Sequence, residues 1–426
     1  MVTRSWLIVV LVIVQSIVAG FSGIEARVAS YSPPLTVGSQ GSHVIEGVPY
    51  VAQTEVNYCP YACETMVLNY MGLNTSINEL LFYSGAGYRQ VYRSDQRLPH
   101  VDLWGRFGFM QSLFGVTEQE WMAQDHNLSD EERWAQFYTR VKKNITNDVP
   151  VITMVDPFAL PSLRDQFKCS DFIWKAMFPP GHHVIVVVGY NDTNQSICYN
   201  DPNAGYYGDG RLGTYAWMPL SVFRQAHENV GVYFVITYTQ TGAPLSKHDA
   251  FDEAFQSNIE NLTGGSSSQG WYSGINASEQ MKIDYSEGAN QSQETGSLYK
   301  AYGGTGLNYT VDLVIHWLLT HLDPEHPNIY DMIVAGKQNP FGELAAAKKH
   351  VAQYLATCMI YPSLCKNQSD LLSSESDHWY NLSASYDIFM RKGLFLSNLR
   401  ATHLMNSMEQ LMSDIIPIEQ ALINQL

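Results

Sequence analysis

The sequence predicts a mixed α+β domain followed by a helical region, and three stretches carry that prediction. Pro60-Tyr-Ala-Cys-Glu-Thr-Met-Val-Leu-Asn-Tyr-Met-Gly72 has the apolar spacing of a buried helix. Val184-Ile-Val-Val-Val188 is a β-branched run, followed by a turn over Asn191–Asn194 and a returning strand over Ile197–Tyr199. From Asn308 onward, apolar residues recur at helical intervals between short proline-bearing turns. Strands in the first half and helices in the second give an α+β class with a C-terminal α-helical domain.

The chain begins with what reads as a signal peptide, residues 1–23. Arg4 supplies the positive end, Trp6 to Val14 is unbroken apolar sequence, and Ile17-Val-Ala-Gly20 offers a small-residue cleavage site. The rival reading is an uncleaved N-terminal membrane anchor, but the uninterrupted run is short for a spanning helix. Eleven Asn-x-Ser/Thr sequons support export: Asn74, Asn127, Asn144, Asn191, Asn194, Asn261, Asn276, Asn290, Asn308, Asn367 and Asn381. The expected location is therefore secreted or extracytoplasmic, with a lysosome-like compartment as the alternative. With 25 Lys+Arg against 41 Asp+Glu, the net charge of −16 argues against nucleic acid or an anionic membrane surface as partner.

In the first helix, Pro60 suits the opening turn, where its missing N–H would be unpaired anyway. Ala62, Met66 and Tyr70, with Cys63 and Val67 beside them, form the expected buried face, and Gly72 sits where a left-handed cap would end the helix. Cys59 then falls at the helix N-terminus. Unpaired N–H groups and the positive dipole end favour a thiolate there, which makes Cys59 a candidate nucleophile. Cys63, one turn on, reads as a buried packing residue.

An insertion from Leu73 to Pro180 follows, expected to shape a substrate cleft. It contains a helix near Asp130–Lys143 and a strand over Val149–Met154. His100, Asp102 and Asp165 read as surface groups. In the β-hairpin beyond, a turn centred near Asp192 sets His183 opposite Asp201, close enough for the carboxylate to orient the imidazole. A shift of one residue would bring His182 there instead, facing the other way.

These residues carry a family resemblance. Gln53, Cys59, Ala62, Tyr70 and Gly72 resemble the nucleophile segment of C39-like cysteine peptidases of the papain-like superfamily. Pro60-Tyr61 stands where that group prefers Gly-Pro. His183–Tyr190 and Asn200-Asp-Pro202 are similar to its histidine strand and acidic element, and Gly213–Phe223 and Val232–Thr237 to the segments that close the fold. The resemblance spans roughly 48 to 238. A second one, to butirosin BtrH-type acyltransferases, rests on the same cysteine helix and histidine strand, on Cys63-Glu-Thr65, Ser84–Tyr88 and a helical C-terminal region.

After Tyr238 the composition turns to Gly, Ser and Asn, read as a linker over 241–306, before the helical domain at 307–426. His316, His321 and His326 lack the spacing of a zinc-binding His-Glu-x-x-His helix. Cys358 and Cys365 flank Ile360-Tyr-Pro362 and are expected to form a local disulfide, with Cys169–Cys198 as a second candidate pair.

The reading is a papain-like (C39-like) fold over 40–240 acting as a cysteine hydrolase on a peptide, amide or acyl substrate. Cys59 would be the nucleophile, His183 the general base and acid, and Asp201 its orienting carboxylate. Gln53 and the Cys59 backbone N–H would form the oxyanion hole. No cofactor or metal is called for. Two alternatives stand beside it: an acyltransferase with the same thiol chemistry, and an inactive papain-like binding module.

Overall fold

The computed structural model describes residues 41–88, 107–123, 128–167, 181–263 and 340–392, with scattered positions between 407 and 424. The signal-like segment, His100, Asp102, Cys169, Asn127, most of the 241–306 stretch and the three late histidines lie outside the described residues.

Among the described residues seven strands form one sheet: β1 (Ser42–Val44), β2 (Val116–Met122), β3 (Val151–Val155), β4 (His183–Asn191), β5 (Ser196–Asn200), β6 (Ala216–Pro219) and β7 (Phe234–Gln240). The order is β2-β7-β3-β4-β5-β6, with β1 also on β4, and every pair is antiparallel. β4 is doubly flanked: β3 pairs with its first half, β1 with its last three residues, and β5 with the other edge. All of its residues but the last are buried, which is why it reads as a continuous apolar run. Gly189 is required by this crowding, since a Cβ there would stand 2.9 Å from Val44 Cγ2 and 3.0 Å from the His43 carbonyl oxygen.

The expected first helix is α1 (Cys59–Tyr70), and Gly72 beyond it takes the left-handed φ of +86°. One buried face was expected, but every residue from Cys59 to Leu68 is buried. The reason is that α1 packs against β4 on one side and α2 (Ile77–Ser84) on another. After α3 (Phe107–Leu113), α4 (Asp130–Thr146) forms where the sequence placed a helix, opened by a Ser129/Glu132 capping box. Its Trp134, Phe137, Val141 and Ile145 form one buried stripe. With α5 (Pro161–Phe167), α6 (Pro202–Tyr207) and α7 (Leu220–Val230) in place, His227 of α7 lies buried within 4.5 Å of the Phe137 and Phe223 rings. Burial lowers its pKa to about 4, so it is a neutral core histidine.

Part of the expected linker is structured. Lys247–Thr263 forms a helix, α8, whose Phe251, Ala254, Phe255 and Ile259 are buried at helical spacing, with Phe251 stacked 5.0 Å from Phe82 of α2. The Gly/Ser composition of the longer stretch masks this short periodic segment. Two helices follow in the described C-terminal part, α9 (Pro340–Thr357) and α10 (Pro362–Lys392), each opened by a proline and packed against each other. The apolar core runs without a break from the sheet into these helices.

The expected Cys358–Cys365 disulfide is not formed. Both thiols are free; the α9–α10 turn brings them into hydrogen-bond contact, at a non-bonded separation. Cys198 is likewise a free, buried thiol.

Candidate active site

Cys59 is the first residue of α1, preceded by Tyr58, whose side chain makes no capping hydrogen bond. Pro60 sits next in the opening turn. Main-chain N–H groups at this helix start are therefore not consumed by a side-chain cap. The thiol hydrogen-bonds the ring of His183, the first residue of β4. His183 is 3% exposed and its Nε2 lies 2.7 Å from Asp201 Oδ1, leaving Nδ1 as the nitrogen for the thiol. His182, its neighbour, lies just before β4 and is exposed.

Burial alone would discharge His183. The Asp201 carboxylate and the Cys59 side chain outweigh that cost and push its pKa up to about 10. The imidazolium is thus the resting form at neutral pH.

Asp201 is fully buried and fully used. Oδ1 accepts from His183 and, at 2.9 Å, from the Asn203 N–H, so the carboxylate also caps α6. Oδ2 accepts from Ser162 Oγ of α5 at 2.6 Å. Ser162 Oγ in turn accepts from the Tyr199 hydroxyl at 3.0 Å, and that hydroxyl accepts from the Ser162 N–H at 3.3 Å. The Asp201 backbone is pinned as well, with its N–H donating to Gly213 O at 2.8 Å and its carbonyl accepting from Tyr50 Oη at 3.0 Å.

The hairpin register differs from the expected one. β5 pairs Asn191 with Ser196 and Gly189 with Cys198, but Val187 with Tyr199 and Val186 with Asn200, so Val188 is an extra residue in β4. Extended by one step, Asp201 falls opposite Ile185, two residues from His183 on the same face, within reach of a diagonal contact. Without the bulge it would fall opposite Val186, on the other face. The expected pairing was off by two, which preserves the face.

Gln53 is buried, and its N–H donates to the Pro202 carbonyl at 3.1 Å, tying it to the acidic element. Nε2 donates to the Glu55 carbonyl at 2.9 Å, while Oε1 has no partner among the described residues. One of the two Nε2 hydrogens is thereby occupied and the other left over.

Two groups on α1 complete the surroundings. Cys63 is fully buried, its thiol donating to the Val184 carbonyl at 3.3 Å, and burial pushes its pKa well above the ordinary thiol value. Glu64 is also buried, accepting from Tyr238 Oη at 2.6 Å and Gln111 Nε2 at 2.9 Å. Burial raises it to about 8, so it is an uncharged acid at neutral pH. Asp165, read as a surface group, is exposed on α5.

Ser162, Tyr199, Tyr50 and Gly213 were not singled out by the sequence. Tyr199 and Gly213 fell in stretches read only as a strand and a closing segment, and all four acquire a role only when folding brings them around one carboxylate. Among the described residues no group of three or more His, Cys, Asp or Glu is arranged to hold a metal.

No curated protein matches the chain. A family model does, over residues 45–216, a segment that contains Gln53, Cys59, Ser162, His183 and Asp201. That segment, which carries the whole hydrogen-bonded run from thiol to carboxylate, is similar to the Peptidase_C39 like family.

Proposed function

We propose that this protein is an exported cysteine hydrolase acting on peptide or amide bonds, with Cys59, His183 and Asp201 as its triad. The observation that carries the reading is the buried run from the Cys59 thiol at a helix N-terminus through His183 to Asp201. In the proposed cycle the Cys59 thiolate attacks the substrate carbonyl carbon, and the carbonyl π electrons move onto oxygen. The Cys59 N–H and the remaining Gln53 Nε2–H donate to that oxyanion, a stabilisation worth about 3 kcal/mol per donor in comparable acyl transfer. His183 passes its proton to the leaving amine as the C–N bond breaks. The now neutral ring takes a proton from water, which cleaves the thioester and restores the starting ion pair.

Export rests on the signal-like N-terminus and on the sequons. Asn74, Asn144, Asn191, Asn194, Asn367 and Asn381 are all exposed or half-buried, none buried.

The test is acylation of the full chain by p-nitrophenyl acetate, followed by a peptide-amide substrate panel. Cys59→Ala and His183→Ala are expected to abolish the nitrophenolate burst, and an undiminished burst in Cys59→Ala would sink the proposal. Added amines separate the acyltransferase reading, in which the acyl group leaves as the amide of the amine. A binding module would show no burst, and a Cys59 that alkylates no faster than free cysteine at mildly acidic pH.

A further inference from the structure

The loop between Gln53 and Cys59 is held from the far end of the sequence. His350 of α9 places Nε2 3.3 Å from Glu55 Oε1 and Nδ1 2.9 Å from Asn78 Oδ1. Its ring meets the Tyr58 ring edge-on at 5.6 Å. Glu343 of the same helix accepts a hydrogen bond from Asn57 Nδ2, and Asn57 has the left-handed φ of +69°. Positions 343 and 350 are seven apart, two helical turns, so both project from one face of α9.

The helix is itself fixed against the Cys59 side of the molecule. Lys348 Nζ donates to the Gly87 carbonyl at 3.0 Å and pairs with Glu375 of α10 at 2.7 Å, with both side chains fully buried. Gly87 permits the close approach, since a Cβ there would stand 2.6 Å from Val351 Cγ2. The Glu55 carbonyl, finally, accepts from both Gln53 Nε2 and the Tyr58 N–H.

We propose that α9 is a working part of the active site: His350 and Glu343 are positioning residues that clamp the 55–57 loop, and through it set Gln53 relative to Cys59. The helical C-terminal region is then a clamp on the oxyanion loop. This rests on the catalytic reading of Cys59 and Gln53 given above.

Two readouts on the full chain test it. In His350→Ala and Glu343→Ala, amide hydrogen exchange over residues 53–58 is expected to run about ten-fold faster than in wild type. Lys349→Ala, an exposed change on the same helix, should leave it unchanged. Acylation by p-nitrophenyl acetate should fall at least about ten-fold in the first two variants, because it needs the oxyanion donors. Alkylation of Cys59 by iodoacetamide, which does not, should stay within about two-fold of wild type. His350→Gln keeps a donor facing Glu55 and should recover most of both effects. Wild-type exchange rates over 53–58 in both alanine variants would overturn the clamp, as would acylation and alkylation falling together. A wild-type chain that never acylates removes the catalytic reading, and the exchange rates then decide the clamp by themselves.

Discussion

Ser162 Oγ donates to Asp201 Oδ2 at 2.6 Å, on the carboxylate oxygen that His183 does not use. The hydroxyl is locked from behind by Tyr199, so Asp201 cannot rotate without leaving a buried donor unpaired. Ser162→Ala is expected to fold, at a cost of about 1–3 kcal/mol for the unsatisfied oxygen. It should slow Cys59 acylation roughly ten-fold and move the alkaline limb of its pH profile downward, since a looser Asp201 holds the imidazolium less well. Asp201→Asn should keep partial activity: one oxygen still accepts from His183 and Asn203, and Ser162 can turn to accept from the new amide. A pH profile of the Ser162→Ala burst identical to wild type would contradict this role.

Cys63→Ala and His182→Ala should both leave Cys59 chemistry in place. Cys63 gives its thiol proton to a strand carbonyl, and its loss removes one buried sulfur and one weak hydrogen bond, about 1–2 kcal/mol. His182 is exposed and meets water. Iodoacetamide mass mapping should still find one fast-reacting thiol, on the peptide carrying Cys59.

Gly213→Ala should damage the site without replacing a proposed triad member. A Cβ there would stand 2.4 Å from the Asp201 carbonyl oxygen and 2.5 Å from Ala204 Cβ. Backbone must move, at an overpacking cost of about 1–3 kcal/mol. Thermal melting combined with the alkylation rate should show both falling.

Stability should decline as pH rises through the neutral range. Glu64 has its pKa raised by burial to about 8, against 4.5 for the unfolded chain. Between those values the unfolded state has released a proton that the folded state keeps. The stabilisation is therefore fully present below about pH 4.5 and lost as pH climbs through 8. Glu118, which shares Gln111 with Glu64, is raised in the same direction. His227 acts oppositely: held neutral down to about 4, it withdraws stability as pH falls from 6.5. Glu64→Gln should flatten the alkaline decline in chemical-denaturation midpoints, and an unchanged slope between pH 5 and 8 would count against a buried neutral acid.

Secreted material from a glycosylating host should carry N-glycans on the described exposed sequons, Asn74, Asn194, Asn367 and Asn381 among them. Endoglycosidase treatment should increase its gel mobility, and no change would refute the modification.

The Cys59 helix and the His183 strand were legible because each is a local pattern, a helix start with proline and a β-branched run. The face shared by His183 and Asp201 was also recovered, although the register was not. A bulge at Val188 leaves no compositional trace, since the extra residue is one more valine in a run of valines. Ser162 and the α9 contacts to Glu55 and Asn57 could not be read, because each depends on segments 39 to 295 residues apart meeting in space. The α8 helix was hidden by averaging over Gly/Ser-rich neighbours. The Cys358–Cys365 pairing failed for a geometric reason: the chain reverses as expected, but the turn leaves the sulfurs touching and unbonded.

The distance along the chain between Cys59 and His183 has a temporal meaning during synthesis. The two are 124 positions apart (183 − 59). At about 5–20 residues per second, translation delivers the histidine roughly 6–25 s after the cysteine. His350 follows 167 residues later still (350 − 183). Through that interval the nascent chain carries an unpartnered sulfur, with Cys63 four residues away and no imidazolium beside it. In the proposed triad, the imidazolium that would activate Cys59 is thus supplied only when β4 arrives. A ribosome-bound chain truncated before His183 is chemically an ordinary cysteine polypeptide.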